Sequence, residues 1–402
     1  GVAAVITGET LKEYNLHMMP TLMSDTQMVL PIDKVCYQAQ EVATVIATDR
    51  YSAADGVELV EVEYEPLPVV VDPHKATDPD APIIRDDKEG QTSNHIWHWE
   101  EGDKEGTEEV FQNSDVVIKE KIYIPRIHVA SIETCGCVSE FDKANGKLTV
   151  WMTTQAPHAI RTVLALVAGH VGLQEDKIRV ISPDIGGGFG GKVPVYPGYV
   201  IAIAASVVTG LPIKWIEDRR ENLQADSFAR DYHMDCEIAA DKDGTLKGLR
   251  IKTLADNGYA DAAANPSKYP DGMFSICTGS YDFKKAFVEV DGVYTNKPPG
   301  GVAYRCSFRV TEAVHAIERM VDLVADEIMM DAAELRMKNF IPKEAFPYKS
   351  PTGWEYDSGD YHTALQLAMD NVGYDELLKE QKEKREKGEL MGIGICSFTE
   401  VV

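Results

Sequence analysis

The chain has 402 residues, a net charge of −25 and 44% apolar residues. That apolar share is ordinary for a folded protein of about two or three domains and excludes intrinsic disorder. The acidic balance excludes a nucleic-acid partner, which needs a basic face, and argues against docking on an anionic membrane surface.

Taken in chain order, Gly1-Val2-Ala3-Ala4-Val5-Ile6 reads as the interior of a strand without a starting Met, so a piece of a longer polypeptide or assembly is expected. Residues 42–64 predict strand, helix, strand: Val42–Ala47, a segment opened by Ser52-Ala53-Ala54-Asp55, then the alternating Leu59–Tyr64. Pro66, Pro68, Pro73, Pro79 and Pro82 exclude a helix beyond it. A domain boundary is expected near residue 75, between units 1–75 and 76–402. The acidic segment 86–115 reads as a solvated loop or lid. A mixed pattern follows. Lys147–Thr153 predicts a strand, Ala156–Val171 a helix with Ile160, Val163, Leu164 and Val167 on one face, and Lys177–Ser182 a strand. Val195–Val208 is a nearly all-apolar helix stopped at Gly210 with Pro212 beyond, and Pro212–Glu217 is a strand. Tyr232–Ala240 and Leu246–Leu254 form a hairpin around Asp241-Lys242-Asp243-Gly244. Thr311–Met330 is a long amphipathic helix, and Asp331-Ala332-Ala333-Glu334 is spaced as a capping box for the next. The fold class is α+β, mixed α/β. No apolar run is long enough for a membrane span, and the longest, Val200–Val208, reads as a core helix. Seven cysteines are too few for a disulfide scaffold, so a reducing, cytoplasmic setting is expected. The apolar run Met391–Phe398 sits just before Val402, so a continuation is expected there too.

Three constellations offer chemistry. Ile185-Gly186-Gly187-Gly188-Phe189-Gly190-Gly191-Lys192 contains G-x-G-x-x-G after a strand, with Glu217 and Asp218 at the end of the next strand, as in a dinucleotide-binding layout. A P-loop is excluded because Val193 stands where Ser or Thr must hold magnesium. More generally, so many glycines let a backbone come close to a ligand and offer its N–H groups to an anion or an oxo group. In Gly300-Gly301-Val302-Ala303-Tyr304-Arg305-Cys306-Ser307-Phe308-Arg309, two guanidinium groups flank Cys306 and favour its thiolate, a ligand for a soft ion such as Cu(I). The bland reading is a buried, inert cysteine. Thr153-Thr154-Gln155-Ala156-Pro157-His158 stands at a strand-to-helix junction, where the Gln155 amide can donate to a bound group or be an ordinary helix-entry residue. Cys135-Gly136-Cys137 has no second cysteine pair and does not make a zinc or iron–sulfur site.

Together these residues resemble the molybdenum hydroxylases, the xanthine oxidase family. Val302–Arg309 is similar to the loop that marks the branch of that family oxidising carbon monoxide at a molybdenum–copper centre. Gly186–Gly191 and Thr154-Gln155-Ala156-Pro157 resemble its family-wide molybdenum-cofactor motifs. Val42–Pro68 resembles its small hammerhead-like α/β domain, and Leu335-Arg336-Met337-Lys338-Asn339-Phe340 a further signature. The resemblance implies a hammerhead-like domain over 1–75, N-terminally incomplete, and a first molybdopterin-binding domain over 76–402. It implies Cys306 as the copper ligand, Gln155 as a donor to a molybdenum-bound oxygen, and Gly187, Gly188, Phe189 and Gly190 against the cofactor. Arg305 would add charge at the cluster, and Phe308 would wall a narrow pocket. The cofactors implied are molybdopterin cytosine dinucleotide and copper. The partners implied are a small subunit with [2Fe–2S] clusters and a medium subunit with FAD, in a dimer of heterotrimers. The substrates would be CO and water, and the electron acceptor would link the complex to the inner face of the membrane. The Glu beside molybdenum, and most dinucleotide contacts, are expected in a half that this chain lacks. Two other readings stay open: a hydroxylase of an aromatic heterocycle or aldehyde, and a nicotinamide dehydrogenase using the glycine loop.

Overall fold

The structure, a computed structural model, describes residues 1–21, 25–261, 275–300 and 311–399. It opens with β1 (Val2–Thr7), α1 (Gly8–Glu13), β2 (Ala43–Ala47) and α2 (Arg50–Glu58), with β1 and β2 antiparallel. The Asp49 carboxylate caps α2 by accepting from the Tyr51 and Ser52 N–H groups. Ile6, Leu11 and Ile46 from this unit share a core with residues of 135–213.

The expected strand Leu59–Tyr64 is absent. Residues 59–69 are exposed and irregular. A two-residue period makes a strand only where a neighbour takes up its backbone groups, and these residues pair with no strand among those described.

The loop expected over 86–115 is also overturned. His95–Gly102 forms β3 and Lys104–Gln112 forms α3, capped by Asp103. Trp97 and Trp99 turn to the core while His98 and Glu100 face out. β3 is one edge of a five-stranded sheet with β4 (Val116–Ile124), β9 (Tyr232–Ala240), β10 (Leu246–Asp256) and β11 (Lys285–Val293), in the order β3-β11-β10-β9-β4. Only β10 and β11 run parallel. α7 (Thr311–Glu327) covers one face with Ile317, Val321 and Val324, as its period predicts. α8 (Ala332–Asn339) follows, its first N–H groups held by Asp331.

The second sheet positions the site. It comprises β5 (Gly136–Asp142), β6 (Lys147–Met152), β7 (Ile178–Ile181) and β8 (Ile213–Ile216), in the order β8-β5-β6-β7. α4 (Pro157–Ala168) and α5 (Pro197–Thr209) join its core, and α5 stops at left-handed Gly210 as expected. β6 and β7 are parallel, so their C-terminal ends emerge at the same edge. α6 (Arg219–Ala225) follows β8. Among the described residues no helix is long and apolar enough to cross a membrane.

Candidate functional site

The edge where β6 and β7 end brings two of the three constellations together. Gln155 lies three residues beyond β6. Its backbone N–H donates to Lys192 O at 2.9 Å, and the Thr154 hydroxyl donates to the same oxygen at 3.2 Å. Ser182, just past β7, donates to Thr154 O at 2.6 Å. So held, the Gln155 side chain reaches the glycine loop, where Oε1 accepts from Gly190 N–H at 2.9 Å and Lys192 N–H at 3.3 Å. The carbonyl end is thereby used. The NH2 end donates to no group among the described residues.

The loop is shaped for this contact. Gly187 and Gly190 have φ of +94° and +89°, the left-handed region that glycine enters without steric cost. Phe189, exposed between them, has φ +49°, which is rare for an aromatic residue and marks a conformation imposed by its surroundings. A Cβ at Gly188 would stand 2.7 Å from Gln155 Cγ and overlap its carboxamide. The N–H groups of Gly187 and Gly188 donate to no described residue. With the Gln155 NH2 they make a set of donors that no described residue uses. That set fits an oxo-bearing or phosphate-bearing cofactor.

Glu133 fastens both ends of the loop. Its Oε2 accepts from Gly186 N–H at 2.7 Å and from Lys192 Nζ at 2.7 Å, and its own N–H donates to Gly186 O at 3.1 Å. Partial burial would raise its pKa, but the Lys192 ammonium and the Gly186 N–H outweigh that and lower it, so the carboxylate stays charged. Lys192 is 1% exposed and committed to Glu133, so it does not act as a phosphate-binding P-loop lysine. Sequence reading missed Glu133, because nothing local marks a glutamate 53 residues before its partner.

The dinucleotide-binding layout fails. β8 lies at the opposite edge of its sheet from β7, not beside it, and α5 starts six residues after Gly191. The two acids of that layout, Glu217 and Asp218, have internal partners. Glu217 is buried, accepting from Cys135 N–H at 3.3 Å and Asn222 Nδ2 at 2.8 Å, while Asp218 caps α6.

Arg305, Cys306 and Phe308 lie outside the described residues. The flanks of that segment are tied down. Arg126 donates to Pro298 O at 2.7 Å, Gly300 N–H to Asn257 O at 2.8 Å, and Lys297 pairs with Asp231 and Asp256. On the far side Arg230 pairs with Glu312. Arg230 and Asp231 are consecutive non-glycine residues at φ +66° and +77°. This strained dipeptide therefore holds both flanks of residues 301–310, one with each side chain.

Beneath the loop, Glu217 and Asp226 meet with Asn222 and Cys135, and Asn222 Nδ2 bonds both carboxyls, at 2.8 and 2.6 Å. Burial and mutual charge push the Asp226 pKa well up, and burial raises that of Glu217. The pair holds a proton that the unfolded chain releases at lower pH. The folded state therefore binds more protons than the unfolded one above pH ~4, and stability falls as pH rises from there through the raised pKa values. Asp226→Asn is expected to flatten this slope. Thermal midpoints from pH 5 to 8 check it: equal slopes in wild type and variant would remove the shared proton.

A family model for the molybdopterin cofactor-binding domain matches residues 87–340, and one for the aldehyde oxidase and xanthine dehydrogenase a/b hammerhead domain matches residues 1–68. The chain is 57% identical to the carbon monoxide dehydrogenase large chain of Afipia carboxidovorans, over all of this chain and 51% of that one. It is 56% identical to the protein of the same name from Hydrogenophaga pseudoflava, again over all of this chain and 51% of the relative. A solved structure of reconstituted CO dehydrogenase from Oligotropha carboxidovorans superposes with a TM-score of 0.92 at 57% identity, covering 96% of this chain and 49% of that one. The chain thus spans about half the length of the curated relatives it matches.

Proposed function

This chain belongs to the xanthine oxidase family of molybdenum-cofactor-binding proteins, and on that premise we propose that it is part of the catalytic subunit of an aerobic carbon monoxide dehydrogenase. The reaction is CO + H2O → CO2 with release of two electrons and two protons. The observation that carries the molybdenum reading is the clamped Gln155, whose carbonyl is consumed by Gly190 and Lys192 so that only its NH2 can face a ligand. What favours CO over a larger substrate is Cys306 between Arg305 and Arg309.

The molybdenum–copper group, held by molybdopterin cytosine dinucleotide, supplies the electron acceptor and a soft metal for carbon. This chain's own residues would supply part of the site. Gln155 donates from Nε2 and orients a ligand oxygen. The backbone of Gly187, Gly188, Phe189 and Gly190 borders the cofactor. Cys306 would offer copper a thiolate, and the positive charge of Arg305 would favour that thiolate. Phe308 would help wall a narrow apolar pocket, which suits a diatomic substrate and keeps the reacting water ordered. Electrons leave through a [2Fe–2S] subunit and an FAD subunit, in a dimer of heterotrimers that works in the cytoplasm.

Molybdenum and copper analysis of the native complex tests this. Near-equal amounts support the binuclear site, whereas molybdenum without copper points to a hydroxylase of a heterocycle or aldehyde. Cys306→Ser is expected to lose copper and CO oxidation while keeping molybdenum, because a hydroxyl is a poor ligand for a soft ion. Full CO oxidation by the copper-free variant would overturn the assignment.

A further inference from the structure

We propose that β3 and β11 carry a second metal site, on the outer surface of the five-stranded sheet, for a borderline divalent cation of the zinc class. His98 and Glu100 are two residues apart on β3 and share a face. In the antiparallel register Asp291 stands opposite His98, and Glu289 opposite Glu100. The His98 imidazole and the carboxylates of Glu100 and Glu289 bring one ligand atom each within 4.8 Å of one another.

The geometry around His98 is that of a ligand prepared for metal. Nδ1 lies 2.9 Å from Asp291 Oδ1. That carboxylate accepts the Nδ1 proton and fixes the ring, so that Nε2, which faces Glu100 across a shared proton, is the nitrogen a metal would take in place of that proton. Nε2 stands 3.5 Å from Glu100 Oε2. Two ligands at ~2.0–2.1 Å from a tetrahedral zinc lie about 3.3 Å apart, so this edge is nearly formed. Two carboxylates face each other across strands here, an arrangement that is unfavourable unless a cation joins them. Lys252 Nζ, 3.2 Å from Glu289 Oε1, partly serves that role. Its side chain is 61% exposed and can swing to water when a stronger cation arrives.

The imidazole selects a zinc-class ion over calcium or magnesium, which prefer all-oxygen sets. Both strands are held by neighbours in the sheet, so the ligands sit on rigid elements. A bound ion would clip the edge strand β3 to β11. His95 also reaches Asp291 Oδ1, at 2.9 Å, but takes no part in the ligand set.

Zinc alone, offered to the chelator-washed native protein in equilibrium dialysis, tests the site. Wild type is expected to bind one zinc per chain more than His98→Ala. Glu100→Gln should weaken that zinc about tenfold or more, and Asp291→Asn about 10- to 100-fold, through the lost orientation of the ring. His95→Ala should keep it. Zinc held elsewhere, by free cysteines for example, contributes equally to all variants and cancels. Equal uptake by wild type and His98→Ala would overturn the proposal, as would a loss in His95→Ala as large as that in His98→Ala.

Discussion

Gly188→Val is expected to leave a folded protein with about a tenth or less of the wild-type molybdenum. The cause is space rather than backbone strain, since the left-handed φ values of the loop's glycines belong to Gly187 and Gly190, not to Gly188. Any side chain at position 188 meets the carboxamide of Gln155, starting at its Cβ. The amide must then leave the pocket between Gly190 N–H and Lys192 N–H. Two backbone donors lose their acceptor, and the Gln155 NH2 loses its aim. Forcing extra methyl groups into a packed site costs about 1–3 kcal/mol, and each 1.4 kcal/mol is tenfold in occupancy. The distortion stays at the loop, because Glu133 and Lys192 still tie its ends. Thermal midpoint and circular dichroism should therefore stay near wild type while molybdenum content drops. Normal molybdenum in the variant would mean that the loop does not border the cofactor.

The sequence showed the parts of this site but not their meeting. Gln155 and Gly190 are 35 residues apart. What joins them is the parallel pairing of β6 with β7, a choice of neighbour that no local pattern encodes. The helix over 157–168 was legible from apolar residues at helical spacing, and that over 197–209 from a nearly all-apolar run that stops at Gly210. The hairpin of β9 and β10 was legible from its Asp-Gly turn. β3 was not, because its outward face is His98 and Glu100, and the acidic surroundings masked the inward Trp97 and Trp99. α3 was hidden likewise, since it buries only Thr107 and Phe111 among glutamates. The alternation over 59–64 misled for the opposite reason, because a pattern that fits a strand has no sheet beside it among the described residues.

Arg336→Met is expected to cost about 3–5 kcal/mol, the range for removing one partner of a buried ion pair. Arg336 is fully buried. Its Nε and Nη2 donate to Glu318 Oε2 at 2.9 and 2.8 Å, and its Nη1 pairs with Asp322 at 2.9 Å. Nη2 also donates to Ile395 O at 3.0 Å, which ties the stretch around Ile395 to α8. The Tyr281 hydroxyl donates to the other Glu318 oxygen at 2.6 Å. Methionine can fill the volume but supplies none of these donors. Glu318 would then keep a charge inside the protein with Tyr281 as its remaining partner. Asp322 would suffer little, since its side chain is 41% exposed and water replaces the guanidinium. The same short motif holds Asn339, which donates to Gly244 O and Leu335 O and accepts from Leu246 N–H. α8 thus fastens α7 with one residue and the β9–β10 turn with another, which gives the motif a structural role away from the glycine loop. Amide exchange over Ala332–Asn339 should speed up about a hundredfold or more in Arg336→Met. Adding Glu318→Leu removes the stranded charge and should recover much of the loss, because an apolar pair can replace a buried ionic one. A double variant no more stable than Arg336→Met would show that the lost donors to Ala332 O and Ile395 O, rather than the charge of Glu318, set the cost.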